Sequence, residues 1–297
     1  MECDTDMVVT LENQDLHLAV MAARGGRIVS LRGRRDDREW LSGPRSDNAS
    51  LGALGDVFTE TDHFGWDEML PTVDPCRYGR EPYVDVEMAD HGELWTAPWE
   101  VLSQSATSLH QRVKGRRLAY TFERRVELRG TVVRCEYRCE TPVDTAMLWA
   151  LHPQFALRES TRLHLHPPPA KLLDTSEGVG RDVAWEGDVS LERDVPLGED
   201  RMLYVEPGTR VDAVSLIDGD GAGVTMTWDN SFAPYLGIWA DRGRYSAGQV
   251  IAIEPTNGFF DELARALKND RVTIFQAHRP QTWWVEIAVH QREEQLS

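Results

Sequence analysis

Residues 62–72 combine a histidine, a tryptophan and three carboxylates in the run Asp-His-Phe-Gly-Trp-Asp-Glu-Met-Leu-Pro-Thr. Such a mixture suits neither a hydrophobic core nor a linker. Carboxylates hydrogen-bond the hydroxyls of a sugar, and the face of an indole covers the C–H face of a pyranose ring. Trp66 and Asp67 are therefore candidates for carbohydrate contacts. The alternative for the segment taken alone is an acidic, partly solvated loop.

Two side chains suited to proton transfer stand where buried strands are predicted to end. His152 follows the apolar run 146–151, Glu254 follows the apolar run 250–253, and each directly precedes a proline. A proline ends or edges a strand because it cannot donate to the ladder. The two residues are a candidate acid and base held on rigid elements. The structural alternatives are a satisfied half-buried histidine and a glutamate paired with an arginine.

A second histidine, His91, lies between Asp90 and Gly92. Asp90 either orients the imidazole ring or makes a turn. The nearby Trp95 is a candidate aromatic platform, because such platforms accompany sugar sites, whereas Trp99 is predicted to be a core residue.

Motifs of several other reactions are missing from the sequence. It has no Gly-x-Ser-x-Gly elbow, no P-loop and no dinucleotide-binding glycine fingerprint. His164 and His166 alternate in a predicted strand and share a face, so they could share a metal ion. A third ligand is not evident in the sequence, and we predict no metal and no cofactor.

The charge of the chain limits its partners. The 297 residues carry a formal net charge of −17, which disfavours nucleic acid and anionic membranes because no basic field gathers phosphates. No apolar run approaches the roughly 20 residues that span a bilayer. Residues 1–6 lack the basic and apolar regions of a signal peptide. A cytoplasmic protein is predicted, with Cys135 and Cys139 as buried, reduced thiols on one face of a strand.

Alternation of apolar and polar residues with period two dominates the sequence, as at residues 224–228 and 285–289. Many such runs separated by short turns predict an all-β, antiparallel sandwich. A single domain over residues 1–297 is expected, because no linker or internal repeat is evident. One helix is predicted at residues 259–268, and residues 171–200 are predicted to be an irregular polar excursion.

Several segments, in this order along the chain, resemble the aldose 1-epimerase (galactose mutarotase-like) family. Residues 25–31 look like the opening hairpin of the family, with a glycine pair before a strand. Residues 90–92 (Asp-His-Gly) and 151–155 (Leu-His-Pro-Gln-Phe) are similar to its two histidine motifs. Residues 234–239 followed by 253–255 (Ile-Glu-Pro) resemble the strand pair that carries its catalytic glutamate.

The resemblance implies a large antiparallel β-supersandwich with a sugar site in the open face of one sheet. It also implies a cofactor-independent isomerase. Glu254 would take the proton from the anomeric hydroxyl, His152 would protonate the ring oxygen, and His91 would hold the ring or assist that transfer.

Sugar contacts are expected from Trp66, Asp67, Trp95, Gln154 and Trp239. Members of the family carry an Asn-Arg pair between the opening hairpin and the first histidine, and this chain has none there. The stretch that contains Trp66 and Asp67 is expected to replace it. The further aspartate of the family has no match, so the resemblance does not define the sugar.

Two alternatives share the fold. A hexose-6-phosphate 1-epimerase would need arginines converging on the phosphate, and Arg77, Arg80 and Arg158 lie near the motifs. A non-catalytic carbohydrate-binding protein could dispense with Glu254 and His152, so the presence of both favours an enzyme. The expected partner is a small carbohydrate, bound by a monomer or a homodimer.

Overall fold

The computed structural model of the protein describes residues 8–45, 52–176, 180–185 and 195–291. Regular structure in these residues is almost all antiparallel β-strand, which confirms the predicted fold class. Residues 1–6, on which the prediction of no signal peptide rests, lie outside the described residues.

The larger sheet has ten strands. They are β1 (Val8–Glu12), β2 (Leu16–Met21), β3 (Arg27–Gly33), β4 (Trp66–Met69), β12 (Ala150–Ala156), β14 (Lys171–Asp174), β15 (Arg181–Ala184), β16 (Asp200–Val205), β19 (Tyr235–Arg242) and β20 (Gln249–Thr256). In space they follow the order β1-β2-β3-β4-β12-β20-β19-β16-β14-β15. Strands that are distant in sequence, β4, β12 and β20, therefore lie side by side at its centre.

The second sheet has eight strands. They are β7 (Glu100–Gln104), β8 (Ser108–Lys114), β9 (Thr121–Arg129), β10 (Val132–Glu140), β13 (Arg162–His166), β17 (Ala213–Ile217), β18 (Gly223–Trp228) and β22 (Gln281–His290). Their order is β13-β17-β18-β22-β10-β9-β8-β7. Two short pairs complete the strands: β5 (Cys76–Arg77) with β6 (Glu87–Met88), and β11 (Thr145–Ala146) with β21 (Ile274–Phe275).

Aromatic side chains fill the space between the two large sheets. Trp283 of β22 stacks on Phe232 with ring centroids 4.1 Å apart and on Tyr137 at 5.3 Å. Trp149, which precedes β12, packs edge-on against Trp283 at 5.3 Å. Apolar positions of the alternating strands supply the rest of this core, as the pattern predicts. Cys135 and Cys139 of β10 are buried and free, as predicted.

A fully buried ion pair also joins the sheets. Arg124 of β9 donates from Nη1 to Glu68 Oε1 of β4 at 3.1 Å. Glu68 accepts two further bonds, from the Tyr137 hydroxyl at 2.8 Å and from Trp149 Nε1 at 3.0 Å. Every oxygen of this buried carboxylate is thus partnered, which is what makes such a charge tolerable in a core.

Two sequence predictions about secondary structure need correction. Residues 171–200 are not wholly irregular, because β14 and β15 pair within them; residues 177–179 and 186–194 of that stretch lie outside the described residues. The predicted helix at 259–268 is shorter, since α1 spans Leu263–Lys268. The carbonyl of Asp261 accepts the backbone N–H groups of residues 73 and 74 and so is not available to an earlier helical turn. None of the described helices is long and apolar enough to cross a bilayer.

Candidate functional site

One row of residues crosses the face of the ten-stranded sheet that points away from the aromatic core. Residues directly opposite each other on neighbouring strands share a face of a sheet. From β3 to β16 the row reads Arg27, Asp67, His152, Glu254, Gly237 and Tyr204. Its six residues come from six strands, so only the folded sheet brings the predicted histidine and glutamate together. We call this face of the sheet the open face.

His152 and Glu254 are neighbours in this row. His152 Nε2 lies 3.6 Å from Glu254 Oε1, and their side chains are only 5% and 4% exposed. The separation is too long for a good hydrogen bond. Both groups therefore keep hydrogen-bonding capacity for a ligand.

Burial acts on the two groups in opposite directions. It raises the pKa of Glu254 well above its usual value, and the nearby carboxyl of Asp261 adds to this effect. It lowers the pKa of His152 well below its usual value, with further lowering by the charges of His91, His63 and Arg27. Both shifts favour an uncharged carboxyl and an uncharged imidazole.

His91 approaches the pair from a loop. Its Nδ1 lies 2.7 Å from Asp90 Oδ1, and the other oxygen of Asp90 accepts the backbone N–H of Phe58 at 2.8 Å. Asp90 therefore orients the ring, one of the two possibilities predicted for it. Burial alone would raise the pKa of Asp90, but the hydrogen bond and charge of His91 outweigh burial and lower it. A side chain on Gly92 would meet the carbonyl oxygen of Leu70 at 2.1 Å, so only glycine allows this approach.

Phe58 is the centre of a cluster of imidazoles that the sequence did not reveal. Its ring stacks on His91 at 3.9 Å and on His63 at 4.9 Å, and meets His152 edge-on at 5.4 Å. Phe58 lies in a short 3₁₀ turn, Phe58–Glu60, where no periodic pattern marks it. The cluster places three histidines around one cavity.

The cavity above the open face has a volume of about 370 Å³, within the range of small-molecule sites. Of the candidate site residues, His91, His152, Glu254 and Trp239 line it. Further lining side chains were not singled out from the sequence: Phe58, Thr59, His63, Val73, Asp74, Thr175, Ser176, Asp200, Met202, Phe260, Asp261, Glu262 and Arg265.

Trp66 and Asp67 do not line this cavity. Trp66 has no exposed surface and belongs to the hydrophobic core, so the prediction that it stacks on a sugar is wrong. Side chains alternate along a strand, and Trp66 lies on the same side of β4 as the core carboxylate Glu68. Asp67 lies on the open face but is also fully buried, and its Oδ1 is bound by Arg27 Nε at 2.9 Å.

Trp95 and Gln154 also lie behind the cavity wall rather than in it. Trp95 is 2% exposed, packs edge-on against Phe58 and donates from Nε1 to the carbonyl of Asp90 at 3.2 Å. Gln154 is fully buried, and its Oε1 lies 3.1 Å from His63 Nδ1. Their predicted direct contacts with a sugar are replaced by contacts with residues that do line the cavity.

Asp261 is a half-buried carboxyl that also lines the cavity. The hydroxyl of Tyr204, the last residue of the row, donates to Asp261 Oδ1. Burial, followed by the charge of Asp74, raises the pKa of Asp261 to about 6. The helix predicted at 259–268 would hold Asp261 in its first turn, but the helix begins at Leu263 and the Asp261 carboxyl lies near Glu254.

The remaining candidates lie elsewhere. Arg77 pairs with Glu87, and Arg158 with Asp218, so neither lines the cavity; Arg80 does not line it either. The rings of His164 and His166 are 6.4 Å apart on β13. Within the described residues no three potential ligands converge on a metal position.

No family model matches the chain, and no curated protein matches it in sequence. Solved structures do match in fold. A galactose mutarotase related enzyme from Lactobacillus acidophilus is 14% identical, with 98% of this chain and 100% of that chain covered and a TM-score of 0.73. A galactose mutarotase-like protein from Lactobacillus casei is 18% identical, with 96% and 100% covered and a TM-score of 0.74. An aldose epimerase homologue from C. elegans is 12% identical, with 97% and 99% covered and a TM-score of 0.71. The chain therefore has the galactose mutarotase-like fold.

Proposed function

We propose that the protein is an aldose 1-epimerase that interconverts the α and β anomers of a free sugar. One observation carries the proposal: His152 and Glu254 face each other across neighbouring strands, 3.6 Å apart, in a cavity of sugar size. Anomer exchange needs a group that takes a proton and a group that gives one, both held against a single acetal-like centre.

In the proposed reaction the Glu254 carboxylate takes the proton of the anomeric hydroxyl. His152, as imidazolium, gives its proton to the ring oxygen as the bond between C1 and that oxygen breaks. The aldehyde rotates about C1–C2. The ring closes when its oxygen attacks C1, His152 takes the proton back and Glu254 returns one to the new anomeric hydroxyl. Atoms, protons and electrons balance, and no oxidant or reductant is needed.

The buried positions of the two groups favour the ring-opened side of this cycle. Because burial raises the pKa of Glu254 and lowers that of His152, the uncharged pair formed by ring opening is favoured over the charged pair that starts it. In either state the pair holds one transferable proton, so opening and closing use the same two groups in reverse.

His91 and Trp239 are proposed to position the sugar. His91 is fixed by Asp90 at 2.7 Å and stacks on Phe58, so it can hold the ring or assist the transfer at the ring oxygen. Trp239 is held by a bond from Nε1 to Asp200 Oδ2 at 3.1 Å, and its ring lies 5.9 Å from that of His152. It is the predicted aromatic contact that lines the cavity.

The charge of the cavity supports a sugar without a phosphate. Its lining includes the carboxyl groups of Asp74, Asp200, Asp261 and Glu262 beside Glu254, and Arg265 is the one arginine among the described lining residues. Arg265 stacks on Phe260 at 4.1 Å. A dianionic phosphate would face like charges there, so the hexose-6-phosphate alternative has no specific observation in its favour.

The proposal is tested by polarimetry on freshly dissolved single anomers of a panel of free aldoses and their 6-phosphates. We expect at least one free aldose to reach anomeric equilibrium faster than its spontaneous rate, in proportion to protein concentration. Binding of a sugar by calorimetry without any acceleration would instead support the carbohydrate-binding alternative. Cytoplasmic location, a single domain, and a monomeric or homodimeric state stay predictions from the sequence.

A further inference from the structure

His63 is a third histidine of the cavity, and the reaction proposed above does not use it. Its ring is 2% exposed and lines the cavity, between the stacked Phe58 at 4.9 Å and the edge of Trp239 at 5.9 Å. Such a side chain is fixed on both sides, so it presents one defined atom to a ligand.

The bond to Gln154 sets which nitrogen of His63 carries hydrogen. Nδ1 lies 3.1 Å from Gln154 Oε1, and a carboxamide oxygen only accepts, so Nδ1 carries the hydrogen. Burial is the main cause that lowers the pKa of His63 to about 4. At neutral pH the ring therefore has no second hydrogen, and Nε2 presents a lone pair.

That lone pair has no protein partner. Nε2 of His63 is buried and finds no hydrogen bond anywhere in the described part of the chain. A buried acceptor without a partner costs free energy and calls for an explanation. Because His63 lines the cavity, a donor on a bound ligand supplies the missing bond.

The position of Gln154 indicates which part of a sugar would make this bond. Gln154 follows His152 by two residues on the same face of β12, opposite Ala252, in the row next to the reacting pair. Two residues along a strand span about 7 Å. A ring whose C1 and ring oxygen lie at Glu254 and His152 would therefore reach His63 with a hydroxyl away from the reacting centre.

We propose that His63 Nε2 accepts a hydrogen bond from one non-anomeric hydroxyl of the sugar and that this bond makes His63 a specificity-determining residue. This inference rests on the proposed function for the orientation of the sugar. His63 takes no proton in the reaction, so its loss should weaken binding and selectivity and leave the proton transfers intact.

The test compares the effect of substituting His63 across a set of sugars that each lack one hydroxyl. Wild type, His63→Leu and His63→Gln are assayed for anomer exchange on the parent aldose and on its 2-, 3-, 4- and 6-deoxy analogues. On the parent sugar, His63→Leu should raise KM about 10- to 100-fold with kcat within a few-fold, and His63→Gln, whose amide oxygen can accept, should recover much of the loss. For one deoxy sugar the effect of His63→Leu should vanish, because the hydroxyl that it serves is already gone.

The same substitution at His164, on the eight-stranded sheet and outside the cavity, is the matched control and should leave KM unchanged. An equal effect of His63→Leu on every deoxy sugar, or a fall in kcat at constant KM, overturns the inference. If His63→Leu does not fold, His63→Ala, which also lacks an acceptor, is put through the same cycle, and an unchanged pattern of deoxy sensitivity overturns the inference.

Calorimetric titration of the same set separates this inference from the proposed function. Sugar binding that shows the crossed pattern without anomer exchange keeps the role of His63 and overturns the epimerase. Anomer exchange that is unaffected by substitution of His63 keeps the epimerase and overturns the role of His63. If the protein binds no sugar at all, both proposals are overturned.

Discussion

Asp67 and Glu68 are adjacent in β4, both fully buried, and they point to opposite faces of the ten-stranded sheet. Glu68 faces the core, where Arg124, Tyr137 and Trp149 occupy both of its oxygens. Asp67 faces the cavity side, where Arg27 binds one oxygen and the other has no partner among the described residues.

Other side chains on the side of Asp67 also have unfilled hydrogen-bonding capacity. On the open face, His152 Nδ1, His63 Nε2 and Gln154 Nε2 also lack partners within the described residues. His63 and His152 line the cavity, where unfilled hydrogen-bonding capacity can serve a ligand, whereas the filled capacity of Glu68 holds two sheets together. One strand thus serves stability on one side and the candidate site on the other.

The largest expected effect is on the core carboxylate. Glu68→Gln leaves the guanidinium of Arg124 buried without its charge partner, and we expect it to lower the free energy of unfolding by about 3–5 kcal/mol. Asp67→Asn also removes the charge partner of a buried arginine, Arg27, but it disturbs one hydrogen bond where Glu68→Gln disturbs three, so it should cost less. Urea unfolding of both variants measures the difference, and equal costs would break the comparison.

Trp66 and Trp239 lie on opposite sides of the sheet, and their substitution should affect stability and sugar binding differently. Trp66→Ala should lower the free energy of unfolding by about 3–5 kcal/mol because it opens a cavity in the core, and the folded fraction should bind sugar normally. Trp239→Ala should cost little stability and weaken sugar binding. Thermal melts beside ligand titrations test both, and a loss of affinity in folded Trp66→Ala would show that Trp66 supports sugar binding after all.

The stability of the open face should depend on pH through His63. Its pKa falls from 6.5 to about 4 on folding, so the unfolded chain binds more protons between these values and stability is lost as pH falls through this window. The loss should amount to about 2–3 kcal/mol by pH 4. His63→Gln lacks this titrating group and should not show this loss. The difference in free energy of unfolding, variant minus wild type, should therefore rise by this amount as pH falls from 7 to 4. If the difference in free energy of unfolding between the variant and wild type is the same at pH 7 and pH 4, folding does not lower the pKa of His63.

A smaller effect is expected on substrate choice. One pair of like charges at about 4 Å repels by about 1–4 kcal/mol at partly exposed sites, so a 6-phosphate should be used at least about fivefold less well than its free sugar. Asp74→Asn removes one lining carboxylate and should narrow this preference, as ratios of kcat/KM will show. Preference for the phosphate in wild type would contradict the proposed substrate class.

The sequence located what lies on regular strands and missed what depends on long-range pairing. The apolar runs marked the strands of His152 and Glu254, but the prediction that these strands end at the prolines is wrong, because Pro153 lies inside β12 and Pro255 inside β20. Alternation alone does not tell whether Asp67 or Glu68 faces the core. Glu68 is recognised as the core residue by its ion pair with Arg124, which lies on the other sheet. Phe58 and His63 lie in connections without periodicity. The helical spacing at 259–268 wrongly included Asp261, because local spacing does not reveal that its carbonyl accepts backbone N–H groups from residues 73 and 74.

The central claim is that Glu254 and His152 exchange protons with a bound sugar. Its most direct test is the rate of anomer exchange at equilibrium, measured by saturation-transfer NMR with equal amounts of folded wild type, Glu254→Gln, His152→Asn and the double variant. We expect each single variant to lose at least about a hundredfold in catalysed rate while sugar affinity and melting temperature stay near wild type, and the double variant to lose far less than the product. Rates of both single variants within a few-fold of wild type, on a sugar that wild type interconverts, would contradict the account.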